Sequence, residues 1–376
     1  MNPYFDNAAT TPMAPEVLDA MMPYLKDEFG NPSSTHARGR AAKSAIELSR
    51  KALASLLDCE PSELVFTASG SEADNAAIFG AVRKFNIDKI ICNPLEHHAV
   101  LHAVEAVQKV YNIQVSWLRV DKFGQPDLGQ LSEEIASAKK ALVVQMYANN
   151  ELGILAPMAK ISELCEQGEA FFLSDLVQGI GHYHLSLSNL GIQYGAASAH
   201  KFHGPKGVGL LYHRSDAKID SYLFGGGQER GLRAGTENVA GIVGMTAALK
   251  LCYEKLEEEE KHIRKLRDHI VTQLENRIPE AQVFVGRPED QSLYSLISLS
   301  LPASDHNQML LFNLDLKGIA VSGGSACSSG ALESSHVLAG IGADLSRGTI
   351  RVSLSRYNTL EEVEYLVNQL ELFLVK

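Results

Sequence analysis

Glu63-Leu64-Val65-Phe66-Thr67-Ala68-Ser69-Gly70-Ser71-Glu72-Ala73-Asp74-Asn75 passes from an apolar run to a polar one through small residues. Glu63 to Thr67 reads as a strand and Ser71 to Lys84 as a helix. The alternation continues. Lys89 to Cys92 reads as a strand, His97 to Val110 as a helix and Ala141 to Met146 as a short apolar strand. Ala159 to Gln167 is helical, and Ala170 to Leu173 and Gly207 to Tyr212 are further strands. Buried strands separated by helices predict a mostly parallel sheet covered on both faces. A long helix is expected from about Glu237 to Arg277. Its run Glu257-Glu258-Glu259-Glu260 reads as a solvated face carrying i,i+4 pairs such as Glu257–Lys261. After it the rhythm changes: strands at Val283 to Val285, Ser295 to Leu301 and Thr349 to Ser353, a helix from Asp305 to Leu316, and a last helix from Leu360. That part reads as a smaller α+β domain.

The chain has 376 residues, 45% hydrophobic and 21% charged, which suits a globular protein of two domains. Its net charge of -11 argues against a general nucleic-acid or anionic-membrane surface. Cys59, Cys92, Cys165, Cys252 and Cys327 are odd in number and widely spaced, with no C-x-x-C pair. A structural metal site or disulfide framework is therefore not expected, and a reducing compartment fits. No basic, apolar leader opens the chain, so a cytoplasmic protein is expected.

Lys201 lies in Ser198-Ala199-His200-Lys201-Phe202-His203, and Asp175 ends the apolar run Phe172-Leu173-Ser174 upstream. A lysine amine can form a Schiff base with a carbonyl cofactor, and a carboxylate can keep a pyridine nitrogen protonated. That pairing points to pyridoxal phosphate. The turn around Gly70 and Ser71 offers a helix start to the cofactor phosphate, although an ordinary serine N-cap explains it too. His97 and His98 follow a strand end, where an imidazole can stack on a ring or move protons; plain helix-terminus histidines remain the other reading. Asn149-Asn150-Glu151 fits a polar pocket or a turn. Gly225 to Thr236, rich in Gly and Arg, fits an anionic ligand, a subunit contact or a flexible loop. Arg351, between Ile350 and Val352 in a strand, needs a carboxylate or phosphate partner, from a ligand or from a structural ion pair. Cys327 sits in Ser322-Gly323-Gly324-Ser325-Ala326-Cys327-Ser328-Ser329-Gly330. Small neighbours predict an exposed, mobile loop whose thiolate is a nucleophile. The other four cysteines read as small core residues.

These motifs, in this order, resemble the pyridoxal-phosphate-dependent cysteine desulfurases of aminotransferase class V. The resemblance runs from Tyr4-Phe5-Asp6-Asn7-Ala8-Ala9-Thr10-Thr11-Pro12 through Gly30-Asn31-Pro32-Ser33-Ser34 to the last helix. It implies an α/β protein of the PLP-dependent transferase fold type I, with a mostly parallel central sheet in a large domain, 14–250. A smaller α+β domain, 1–13 and 251–376, would carry the cysteine loop. Lys201 matches the Schiff-base lysine, and His97 the histidine that stacks on the ring and moves protons. Asp175 matches the partner of the pyridine nitrogen, and Gln178 that of the ring hydroxyl. Gly70, Ser71, Ser198 and His200 match the phosphate cup, and Thr236 a residue reaching the phosphate from the second subunit of a homodimer. Asn150 and Arg351 match the pair holding the substrate carboxylate, and Cys327 the sulfur-accepting cysteine. The implied reaction takes L-cysteine to L-alanine and passes sulfur, as a persulfide, to acceptor proteins such as an iron–sulfur scaffold or a thiolation protein. The Ser-Gly-Gly-Ser-Ala-Cys context resembles the long-loop group of the family. A selenocysteine lyase, another class V enzyme and a non-catalytic partner-binding homologue are the alternatives. Leu176, Val177 and Ala199 depart from the smaller residues common at those positions in the family.

Overall fold

The computed structural model describes residues 1–284, 291–304, 306–323 and 335–374. Val285, Asp305 and the Cys327 loop, all named above, lie outside the described residues. In chain order the elements are α1 (Pro15–Lys26), α2 (Ala37–Leu56), β1 (Leu64–Thr67), α3 (Gly70–Phe85), β2 (Lys89–Cys92), α4 (His98–Tyr111), β3 (Gln114–Trp117), α5 (Leu128–Ser137), β4 (Ala141–Val144) and α6 (Met158–Gln167). There follow β5 (Phe171–Asp175), β6 (Tyr194–Ser198), β7 (Gly209–His213), α7 (Val239–Arg277), β8 (Gln282–Phe284), β9 (Leu296–Ala303), α8 (Leu310–Leu316), α9 (His336–Gly340), β10 (Arg347–Ser353) and α10 (Leu360–Leu374).

Seven strands form the central sheet in the order β1-β7-β6-β5-β4-β2-β3. The pairs from β6 through β5, β4 and β2 to β3 are parallel, whereas β7 runs antiparallel to both β1 and β6. The side-chain period of two deals successive residues to opposite faces. Phe66, Ile91, Val143, Phe172 and Leu210 face one core, closed by α1, α2, α5, α6 and the first half of α7. Their neighbours Val65, Ile90, Leu142, Leu173 and Leu211 face the other, closed by α3 and α4. Both faces are covered, which is why the strands read as unbroken apolar runs.

The second sheet is antiparallel, in the order β10-β9-β8. The far half of α7 (Ile263, Ile270, Leu274), α10 (Val363, Leu366, Leu370) and Phe5 pack on it. The N-terminal segment is stitched to this part: Phe5 N donates to Ala320 O at 2.8 Å and Ser353 N to Phe5 O at 2.7 Å. The boundary expected at 250/251 falls inside α7, whose two halves serve different cores. The acidic run of α7 is not merely a solvated face. Glu260 pairs with Arg264 at 2.7 Å, while Glu259 turns inward to Arg356 at 2.6 Å. Cys92, Cys165 and Cys252 are buried as expected, but Cys59 is only half-buried. No helix among the described residues is long and apolar enough to cross a membrane. Short elements escaped the sequence reading: β3 is partly exposed, β6 is Tyr-Gly-Ala-Ala-Ser with little hydrophobic bulk, and the helix expected from Asp305 reduces to a 3-10 turn at Asn307–Met309 followed by α8.

Candidate active site

Parallel strands end at one edge of a sheet, and the loops leaving them converge there. Here that edge opens into a cavity of about 380 Å³. Lys201, Asp175, His97, Gln178, Gly70, Ser71, Ser198, His200, Asn150 and Arg351 all line it.

Each side chain is delivered by a short local structure. Asp175 is the last residue of β5 and Ser198 the last of β6; a 3-10 turn, Ala199–Lys201, then throws Lys201 into the cavity. The Lys201 ammonium donates to Ala8 O at 2.6 Å and Ala9 O at 3.0 Å. Gln178 Nε2 donates to the same Ala8 carbonyl at 3.0 Å. The N-terminal Asp6 to Thr11 stretch is thus part of the site wall, with Thr11 N donating to His200 O at 2.9 Å. Asp175 Oδ1 accepts from Val177 N at 2.8 Å. Burial nevertheless pushes its carboxyl up to about 6, against that bond and the Lys201 charge. His97 is the N-cap of α4, its Nδ1 accepting from Ala99 N at 3.1 Å. Burial, then the Lys201 charge, depresses the imidazole to about 4, so it is neutral at neutral pH.

The turn before α3 is a serine-capped helix start, but the cap is Ser69, two residues before Ser71. Ser69 Oγ accepts from Glu72 N at 3.1 Å. Gly70 and Ser71 still face the cavity. A Cβ on Gly70 would lie 2.7 Å from Val177 Cγ2, so glycine is what lets this helix start approach the β5 loop.

Arg351 reaches in from β10 of the other sheet with its side chain only 3% exposed. It donates to Asp6 Oδ1 at 2.8 Å and to Asn150 O at 2.9 Å, and its Nε has no partner among the described residues. The ion-pair reading is therefore realised, and the arginine lines the cavity as well. Asn149 proves to be a turn residue: its Oδ1 accepts from Glu151 N and Leu152 N, both at 2.9 Å. Asn150 is the one that lines the cavity.

Thr236 is exposed and does not line this chain's cavity. Its Gly- and Arg-rich run is anchored rather than flexible: Arg50 forks onto Glu229 at 2.7 and 2.9 Å, and Arg233 pairs with Glu72 at 2.8 Å. Cys327 lies outside the described residues. On the near side of its loop, Ser322 Oγ donates to Asp6 Oδ1 at 2.6 Å and Ser322 O accepts from Arg351 N at 2.7 Å. On the far side, Ser335 Oγ donates to Glu151, and His336 lines the cavity.

The sequence reading missed Asp74, Glu96, Glu151 and His336. Asp74 and Glu96 are almost wholly buried near Asp175, and burial together with that neighbouring carboxyl raises both well above the usual range. Burial pushes Glu151 up to about 7. Asp74, three residues after Ser71 and buried on α3, carried the one usable signal.

Comparison with known proteins agrees with this architecture. A family profile described as Aminotransferase class-V matches residues 3–366. A cysteine desulfurase IscS of Dictyoglomus turgidum is 39% identical over 377 residues, covering 99% of this chain and 94% of that protein. One of Methanosarcina thermophila is 42% identical over 366 residues, covering 96% and 89%. A solved structure described as a NifS-like protein superposes with a TM-score of 0.91 at 36% identity over the whole of both chains. The apo cysteine desulfurase of Thermococcus onnurineus gives 0.87 at 27%, covering 98% of this chain and 94% of that one. The chain belongs to the aminotransferase class V family and, within it, to the cysteine desulfurases.

Proposed function

We propose that this cysteine desulfurase holds pyridoxal phosphate in the cavity, takes L-cysteine to L-alanine there, and receives the sulfur on Cys327. The observation that carries the reading is the convergence of Lys201, Asp175, His97 and Arg351 on one cavity. The donor set fits the cofactor. The cavity carries an amine, a buried carboxyl, and a helix start with Ser71, Ser198 and His200 that suits a phosphate. Bound there, the cofactor supplies an electron sink for the substrate's α-carbon.

The chain's own residues do the rest. Lys201 would anchor the cofactor, and Asp175 would keep a proton on its pyridine nitrogen. Gln178 would bond its ring hydroxyl, and His97, neutral, would lie against the ring and accept a proton. Arg351 and Asn150 grip the substrate carboxylate. The thiolate of Cys327 takes the sulfur as persulfide, a reversible state from which sulfur passes to another thiol. We further read a cytoplasmic homodimer in which Thr236 completes the partner's phosphate cup. Its large domain would span 14–250 and its small domain 1–13 and 251–376. The acceptors would be proteins such as an iron–sulfur scaffold or a thiolation protein.

Incubation with L-cysteine followed by mass spectrometry tests the core of this. One added sulfur on Cys327, with alanine released, is expected; Cys327→Ser should keep the cofactor and release little alanine. Alanine formed at an undiminished rate by that variant would rule the protein thiol out.

A further inference from the structure

We propose that His336 accepts the thiol proton of the bound cysteine at its Nδ1. The inference rests on the desulfurase reading above and adds a catalytic group to it.

His336 is the first residue of α9 and lines the cavity together with Lys201 and Arg351. Its Nε2 lies 3.1 Å from Glu96 O. A carbonyl oxygen only accepts, so Nε2 carries the hydrogen and Nδ1 carries a lone pair. That Nδ1 is buried with no hydrogen-bond partner among the described residues. A buried acceptor left without a donor costs stability unless something supplies one. A thiol brought in by the substrate is such a donor.

The surroundings keep the ring neutral and ready to accept. The His98 ring packs 4.6 Å away, centroid to centroid, and His102 lies 5.1 Å beyond His98. On the other side Ser335 ties α9 to Glu151, and Arg351 lines the same cavity. Burial is the main cause that lowers the His336 pKa, with His98 and His102 adding to it and the Glu96 carbonyl opposing.

The transfer balances without a further reactant. The S–H bond breaks with its electron pair left on sulfur, and the proton forms the Nδ1–H bond. A lone pair of the Cys327 thiolate makes the S–S bond. The C–S pair stays on carbon, which takes the proton from His336 and becomes the methyl group of alanine.

Selenocysteine separates this role from a structural one, because its selenol is already ionised at neutral pH. The holoenzyme and His336→Gln are compared at neutral pH, each with cysteine and with selenocysteine; Gln can still donate to Glu96 O. The variant should lose roughly 100-fold in kcat on cysteine, in the range of a missing general base, with KM little changed. It should keep its rate on selenocysteine within a few fold. Its cysteine rate should recover as pH approaches the thiol pKa of about 8.5. Equal losses on both substrates, or an unchanged cysteine rate, would overturn the proposal. His336→Asn stands in if the Gln variant fails to bind cofactor, read by the same criteria. A wild type inactive on both substrates would instead sink the desulfurase reading.

Discussion

Arg351 and Asp6 meet at 2.8 Å, tying a strand of the small sheet to the N-terminal segment that walls the site. The pair leaves Arg351 Nε buried without a hydrogen-bond partner among the described residues. Arg351→Lys keeps the charge but loses the fork. We expect KM for cysteine to rise at least tenfold, with cofactor absorbance intact. An unchanged KM would remove Arg351 from substrate binding.

Two lysines lie in one run, but only Lys201 lines the cavity, and Lys206 is exposed. Lys201→Ala should therefore abolish the visible absorption of the lysine–cofactor linkage, whereas Lys206→Ala should retain it. Spectra of the two purified variants decide the matter, and the reverse pattern would refute the assignment.

Arg50 and Glu229 are both nearly wholly buried, with side chains 3% and 2% exposed. Glu229 Oε2 also accepts from Phe66 N at 2.8 Å. Truncating Glu229 to Ala strands the guanidinium, and breaking a buried pair in this way costs about 3–5 kcal/mol. Chemical denaturation should show that loss, and a smaller one for Glu229→Gln, which keeps the hydrogen bonds. Equal stability of all three proteins would mean the pair is not closed in solution.

Burial holds His203 down to about 3, with the Arg356 charge adding to it, so the folded protein keeps this ring neutral. The unfolded chain protonates it below about 6.5. Between those values the unfolded state binds more protons, so stability rises with pH and is fully present above about 6.5. One such proton contributes up to about 1.4 kcal/mol per pH unit. Melting temperatures of wild type and His203→Asn should diverge in favour of wild type as pH climbs from about 4 to 6.5. A gap that stays constant with pH would contradict this.

Val177 sits where a Cβ on Gly70 would touch it. Gly70→Ala should weaken cofactor binding at least tenfold, and adding Val177→Ala should restore much of it. Titration of the apoprotein with pyridoxal phosphate measures both. Equal affinities throughout would mean the loop gives way without cost.

The sheet and the strand-end residues were legible because their signals are local. Asp175 ends an apolar strand and His97 follows one within a few residues, and the strand dictates the edge at which they emerge. Lys201 follows β6, which has little apolar bulk, and was legible from its own His200-Lys201 run. The acids behind the site were not legible. Asp74 on α3 and Glu96 in the loop before α4 come together with Asp175 only in the folded chain, and beyond Asp74's place on α3 nothing local marks a buried carboxyl. Asp6, quoted only within the N-terminal motif, carries no local sign of the Arg351 that β10 brings to it. Glu259 was taken for part of a solvated face because period alone does not show which glutamate of four meets a buried arginine.

Helix α7 runs unbroken for 39 residues, with its first half seated under the large sheet and its second under the small one. One residue added near its middle would turn everything beyond by about 100° and advance it about 1.5 Å. Ile263, Ile270 and Leu274 would swing off their sheet, and Arg351, carried by that sheet, would no longer reach the cavity that Lys201 lines. This helix acts as a gauge block: its residue count sets how the two sheets that bring Lys201 and Arg351 to one cavity are spaced.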